Sequence, residues 1–120
     1  MSGARFYQEA MDWLRMHPAI ERQIQDEVAR LSRLASLALQ RPLAPIAIRY
    51  DLRGTAAGCA SAHQIRLNPV LLRENLEDFL RHTIAHEVAH SAVMQRWPRA
   101  AAHGPQWRAL MEALGYPATR

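Results

Sequence analysis

Lysine is absent from this chain. All 15 of its basic side chains are arginines, set against 11 Asp and Glu, for a net charge of +4 and a pI of about 10.2. A balance of this sign permits contact with nucleic acid or acidic partners without requiring it. Cysteine is nearly absent: the single Cys59 excludes an internal disulfide and any four-cysteine zinc ribbon within the chain, and it reads as a small buried strand residue. No apolar run approaches the roughly 18 residues that a membrane span needs, and the opening MSGARFYQEAMDWLR has charges where a signal peptide needs its apolar core. These absences predict a cytoplasmic protein with no membrane partner. They leave the oligomeric state open.

What is present suits a compact fold. Hydrophobic residues make up 49% and charged residues 22%, too apolar for intrinsic disorder, and 120 residues suffice for one small core. The expectation is a single domain over 1–120, without repeats or linkers.

Residues 4–16 read as a helix interrupted at His17-Pro18, because the residue before proline is pushed out of the α region. A second helix runs from Ala19 to about Gln40, with Ile20, Ile24, Val28, Leu31, Leu34 and Ala38 at three- and four-residue spacing on one face. Arg22, Arg30, Arg33 and Arg41 form a loose stripe on the other side, interrupted by Asp26. A solvated face is the plain reading of that stripe, and a track for nucleic-acid phosphates the functional one. Pro42 and Pro45 close this helical region, 1–41. Strands follow within 46–67: IAIRYDL over 46–52, Ala57 to Ser61, and Gln64 to Leu67. Asn68-Pro69 then signals a helix start, as a cap followed by a first-turn proline. The remainder, 68–116, holds a main helix from about Asn75 to Trp97, stopped by Pro98, and a last one from Pro105 to Leu114, stopped by Gly115 and Pro117. The fold class is α+β, with N-terminal helices, a small three-stranded sheet, a central helix and a C-terminal helix.

Within the main helix, TIAHEVAHSAVM (83–94) has one formally charged residue, Glu87. A carboxylate in so apolar a stretch is costly to bury, and such groups persist beside a cation or in a working site. His86 and His90 lie one turn apart, so both imidazoles leave the same face and are able to converge on one Zn²⁺. Glu87 lies about 100° round the helix, near the ion but not aimed at it. From there it suits the role of general base toward a zinc-activated water, then of acid toward the leaving amine. Two histidines and a glutamate on a helix are also ordinary core or surface residues, so the third ligand decides.

The extended motif HExxHxxGxxH fails, with Val93 at the glycine and Arg96 at the histidine position. His82 shares the face of His86 but sits about 12 Å along the axis from His90, too far for all three to meet, and reads as a surface or supporting histidine. Glu112 would make a His₂Glu site, with nothing around it to favour it. His103, in the loop beyond Trp97-Pro98, is the preferred third ligand, and an exposed loop histidine is its plain alternative. Tyr50 and Tyr116 are candidate oxyanion donors by residue type alone.

The segments Arg53-Gly54-Thr55 with Ala57-Gly58, IRLNPVLL at 65–72, HEVAH at 86–90 and HGPQW at 103–107, in this order and spacing, resemble the SprT family of zinc metallopeptidases. That family includes bacterial SprT and the protease core of Spartan, and the likeness covers most of 46–116. It implies a minimal zincin-like fold, one Zn²⁺ per chain on His86, His90 and His103, Glu87 as catalytic acid/base, and a protein or peptide substrate. Spartan cleaves proteins crosslinked to DNA, which brings in DNA or a DNA-bound protein as a further partner. A DNA-associated binding module with a structural or vestigial zinc is the alternative function. Trp107 reads as packing support for His103. Bacterial SprT proteins continue into a cysteine-bearing zinc ribbon, for which a chain with one cysteine has no ligands.

Overall fold

The computed structural model describes residues 3–119. Two helices open the chain, α1 (Gly3–Arg15) and α2 (Pro18–Leu39). The break falls at His17, where φ is −128° and Pro18 begins the next helix, as the steric restriction before proline requires. The buried face of α2 is Ile24, Val28, Leu31 and Ala35. Leu34 is exposed instead, and so is Ala38. Among near-equivalent apolar spacings the small Ala35 takes the inward position, where it packs with Ala89, Ala92 and Trp107. The arginine stripe is broken further, because Arg30 is paired with Glu27 at 2.8 Å.

The sheet holds β1 (Ala47–Arg49), β2 (Gly58–Ser61) and β3 (Gln64–Leu67) in the order β1-β3-β2. β2 and β3 form an antiparallel hairpin, while β1 pairs with β3 in parallel. The first strand is shorter than the 46–52 expected. Beyond Arg49 the Tyr50 carbonyl accepts a hydrogen bond from the Tyr7 hydroxyl of α1, and Asp51 accepts from both Arg49 and Arg66. Those side-chain partners replace the ladder.

Asn68 caps α3 (Pro69–Glu74) as its sequence position predicts, its side chain accepting from the amides of Val70 and Leu71. The expected main helix is not uniform. A single turn α4 (Leu76–Asp78) passes into a π turn (Phe79–Thr83) before α5 (Ile84–Arg96), with the Ile84 amide bonded to the Phe79 carbonyl. Phe79, Ile84 and Val88 are all in the core. Their spacing is five and then four, so a wider turn between Phe79 and Ile84 is what keeps both inside. The last helix, α6 (Pro105–Leu114), has the bounds read from Pro105 and Gly115.

α5 lies at the centre of these layers and is buried over nearly its whole length. On one side Ile84, Ala85 and Val88 join α2 and β3 in one apolar cluster; on the other, Ala89, Ala92 and Val93 join Trp107, Leu110 and Met111 of α6 in a second. Polar groups set its register against the sheet. The Ser91 hydroxyl, fully buried, donates to the Ser61 carbonyl at 2.6 Å. One turn later the Gln95 amide donates to the carbonyls of Ala62 and Ala44 and accepts from the Ala44 amide. Replacing Ser91 by Ala removes the hydroxyl without adding bulk and takes this donor from the Ser61 carbonyl, a loss of about 1–3 kcal/mol. Chemical denaturation of Ser91→Ala should read a destabilisation of that order.

Candidate metal centre

His86 and His90 leave α5 one turn apart, and His103 reaches them from the loop before α6. The three Nε2 atoms form a near-equilateral triangle: 3.2 Å from His86 to His90, 3.0 Å from His90 to His103 and 3.1 Å from His103 to His86. An imidazole N–H or lone pair lies in the ring plane and points away from the ring, so three converging Nε2 atoms aim at one another's centre and do not form three good mutual hydrogen bonds. A cation is the natural occupant of such a point. Two nitrogens bound to one tetrahedral Zn²⁺ at 2.0–2.1 Å would stand about 3.3 Å apart, close to the separations seen. These three histidines could therefore hold a metal ion, and among the described residues they are the one His/Cys/Asp/Glu group that meets this geometry.

The electrostatics agree. Burial first, then the proximity of His103 and His82, lowers the His86 pKa to about 4. Burial, then His86 and His103, does the same for His90. Both rings are thus neutral, with free lone pairs, at ordinary pH. Glu87 is 6% exposed, and burial alone raises its carboxyl to about pKa 7.

Local structure holds each group in place. Trp107, with no exposed surface, is the floor: its ring stacks on His90 at 5.3 Å and 19°, and meets His86 and His103 edge-on at 4.9 and 4.7 Å. Its indole N–H donates to the His86 carbonyl. His103 has a φ of 57°, a left-handed conformation that costs a non-glycine residue roughly 1–2 kcal/mol. The tight turn from Ala101 to Gly104 imposes it: the Gly104 amide bonds to the Ala101 carbonyl, and a Cβ at Gly104 would lie 2.9 Å from that same oxygen. The left-handed conformation of His103 is thus held by a turn that a side chain at position 104 would crowd.

Gly58 of β2 approaches Glu87 so closely that a Cβ there would stand 2.9 Å from Glu87 Cγ and 3.1 Å from its Oε2. The sequence places Gly58 in the strand expected from Ala57 to Ser61; in the fold its bare Cα leaves room for the carboxyl. Together with Cys59, Ala60, Met94 and Ala102 it lines an open cleft of about 270 Å³ that also takes in His86, Glu87, His90 and His103. β2 ends the sheet, so among the described residues its outer edge has no strand partner.

Other candidates lie elsewhere. Glu112 is exposed and outside the histidine cluster. His82 stands beside His86, ring centres 6.0 Å apart, without joining the triangle. Neither tyrosine reaches the site. Tyr116 bonds to Arg30 and Glu27, and the Tyr50 hydroxyl is buried without a partner against the first apolar cluster. Cys59 is free and half-buried. Truncating the floor, Trp107→Ala, removes a fully buried indole, so equilibrium unfolding should show a loss of about 3–5 kcal/mol.

Comparison with known proteins agrees with this geometry. The SprT-like family model matches residues 17–120. Protein SprT of Klebsiella pneumoniae (strain 342) is 42% identical over 105 residues, 85% of this chain and 61% of that protein. Protein SprT of Escherichia coli (strain SE11) is 41% identical over the same shares. The chain thus spans about 61% of the length of these curated relatives. No solved structure matches it significantly. A family match over 17–120, carrying the three convergent histidines and the buried glutamate between the first two, places the chain in the SprT-like family.

Proposed function

We propose that the chain is a zinc-dependent metallopeptidase, with His86, His90 and His103 as the ligands and Glu87 as the general base. The observation that carries this reading is the convergence of three imidazoles beside a buried carboxyl, in a cleft also lined by residues of the edge strand β2. Zn²⁺ held there would supply Lewis acidity and bring the pKa of a water toward neutrality. Three protein donors leave a fourth tetrahedral position for water or substrate, the pattern of catalytic rather than structural zinc.

Glu87 is placed to take a proton and return it to the leaving amine. Its carboxyl projects beside the histidines, shielded from solvent, and Gly58 allows it to stand there. The substrate would lie as an extra strand along Gly58–Ala60, held by backbone pairing to the free edge of β2. Nothing charged other than Glu87 lines the cleft, so main-chain hydrogen bonds would dominate recognition. A protein or peptide in extended form is the substrate class that this edge accommodates.

Metal analysis of the natively purified chain should find one zinc, with His86→Ala and His103→Ala losing it. Glu87→Gln should retain zinc while peptide hydrolysis falls by about 10²–10⁴-fold; undiminished turnover by zinc-loaded Glu87→Gln would remove Glu87 from the mechanism. Gly58→Ala should also keep zinc and the fold, yet lose up to about 100-fold in turnover, because the added methyl displaces the base.

A further inference from the structure

The sheet has a second edge. In the order β1-β3-β2 it belongs to β1, on the side opposite β2. The Ala47 amide donates to the His63 carbonyl at 2.9 Å, so Ala47 turns its main-chain groups toward β3. Along a strand these groups alternate in direction. The amide and carbonyl of Ile48 therefore point outward, where among the described residues no further strand meets them. Two residues on, the Tyr50 carbonyl takes its hydrogen bond from a side chain of another element, the Tyr7 hydroxyl of α1.

α2 and this edge share a groove of about 420 Å³. Glu21, Val28 and Ala29 of α2 line it together with Ile46, Ile48 and Tyr50, and no residue of β3 does. Glu21 is the one formally charged residue in that lining. It is half-buried, and among the described residues it forms no ion pair. A lone carboxylate among Val28, Ile46 and Ile48 complements one kind of side chain: a long one whose methylene stem lies on apolar surface while its cationic head meets the carboxylate. Arginine and lysine have that form. The outward amide and carbonyl of Ile48 pair in turn with an extended backbone.

We propose that the groove between α2 and β1 is a docking site for an extended peptide segment of a partner protein, which pairs with Ile48 and places an arginine or lysine on Glu21. β1 is three residues long, and Pro45 before it has no amide to offer. Main-chain bonds are therefore few, and the contact with Glu21 carries the selectivity. The site stands at the sheet edge opposite β2 and does not rest on the peptidase reading.

The probe is a terminally blocked seven-residue peptide of alternating Thr and Val with Arg at its centre, labelled for fluorescence anisotropy. The wild-type chain should bind it, and ¹⁵N NMR should show the largest amide shifts at Ala47–Arg49 and around Glu21. Placing Glu at the centre of the peptide, or N-methylating the backbone amides beside the Arg, should each weaken binding about 10-fold or more. Glu21→Gln should weaken the Arg peptide about 10-fold and narrow the gap between the Arg and Glu peptides. If Glu21→Gln disturbs the fold, the peptide series on the wild-type chain carries the comparison. No binding at millimolar peptide, shifts centred on Gly58–Ser61, or equal affinity for the Arg and Glu peptides would overturn the proposal. Blocked arginine binding as tightly as the peptide would make the groove a small-cation site. Concentration-dependent shifts at Ala47–Arg49 without peptide would assign it to a second copy of the chain. Either result also overturns the docking of a partner segment.

Discussion

Burial of ionisable groups around a single point is the constraint on which the rest of this structure turns. Withdrawing water from His86, His90 and Glu87 pushes the two imidazoles toward neutrality and the carboxyl toward protonation, each a cost to the charged form. The three Nε2 atoms meanwhile point their lone pairs into one small space. A divalent cation would relieve both costs at once: it uses the lone pairs, and its charge favours the ionised carboxyl that burial alone disfavours. The neighbouring features follow from holding these groups where water would otherwise separate them. Trp107 supports all three rings, and Gly58 gives up a side chain so that the carboxyl has room.

Stability and function share the same helix. α5 is the central element of the core and also the carrier of two histidines and the glutamate, so the site inherits the rigidity of close packing. The sheet is held to it by Ser91 and Gln95, which follow the HEVAH segment directly. That connection keeps the free edge of β2 beside the metal point. Within the site a left-handed residue in a tight turn, His103, brings in the third imidazole.

Much of this was legible before any tertiary structure. The one-turn spacing of His86 and His90, the cap at Asn68 and the bounds of α6 between Pro105 and Gly115 are local matters of helix geometry and backbone preference, and they hold. His103 was chosen because its loop is able to fold back, and it does. The π turn at Phe79–Thr83 had its signal in the five-residue step from Phe79 to Ile84, which a regular 3.6-residue reading passes over. Ala35 replaced Leu34 in the core because helical spacing leaves neighbouring apolar positions nearly equivalent, and only the shape of the packed partner selects between them. Tyr50 and Tyr116 were proposed by chemistry alone, and their hydroxyls lie away from the cleft.

The sequence by itself determined which residues are able to bind a cation and which segments are helical, because both depend on contacts within a few residues of chain. Tertiary structure decided where those segments meet. It put β1 beside β3 in parallel, set β2 at the edge of the sheet and turned Gly58 toward Glu87. Each of these joins residues far apart in the chain, and the close packing of apolar faces that sets such distances is a property of the assembled core, not of any one segment. HEVAH thus puts two imidazoles and a carboxyl on one helix; the fold supplies the third histidine, the room for the glutamate and the strand edge beside them.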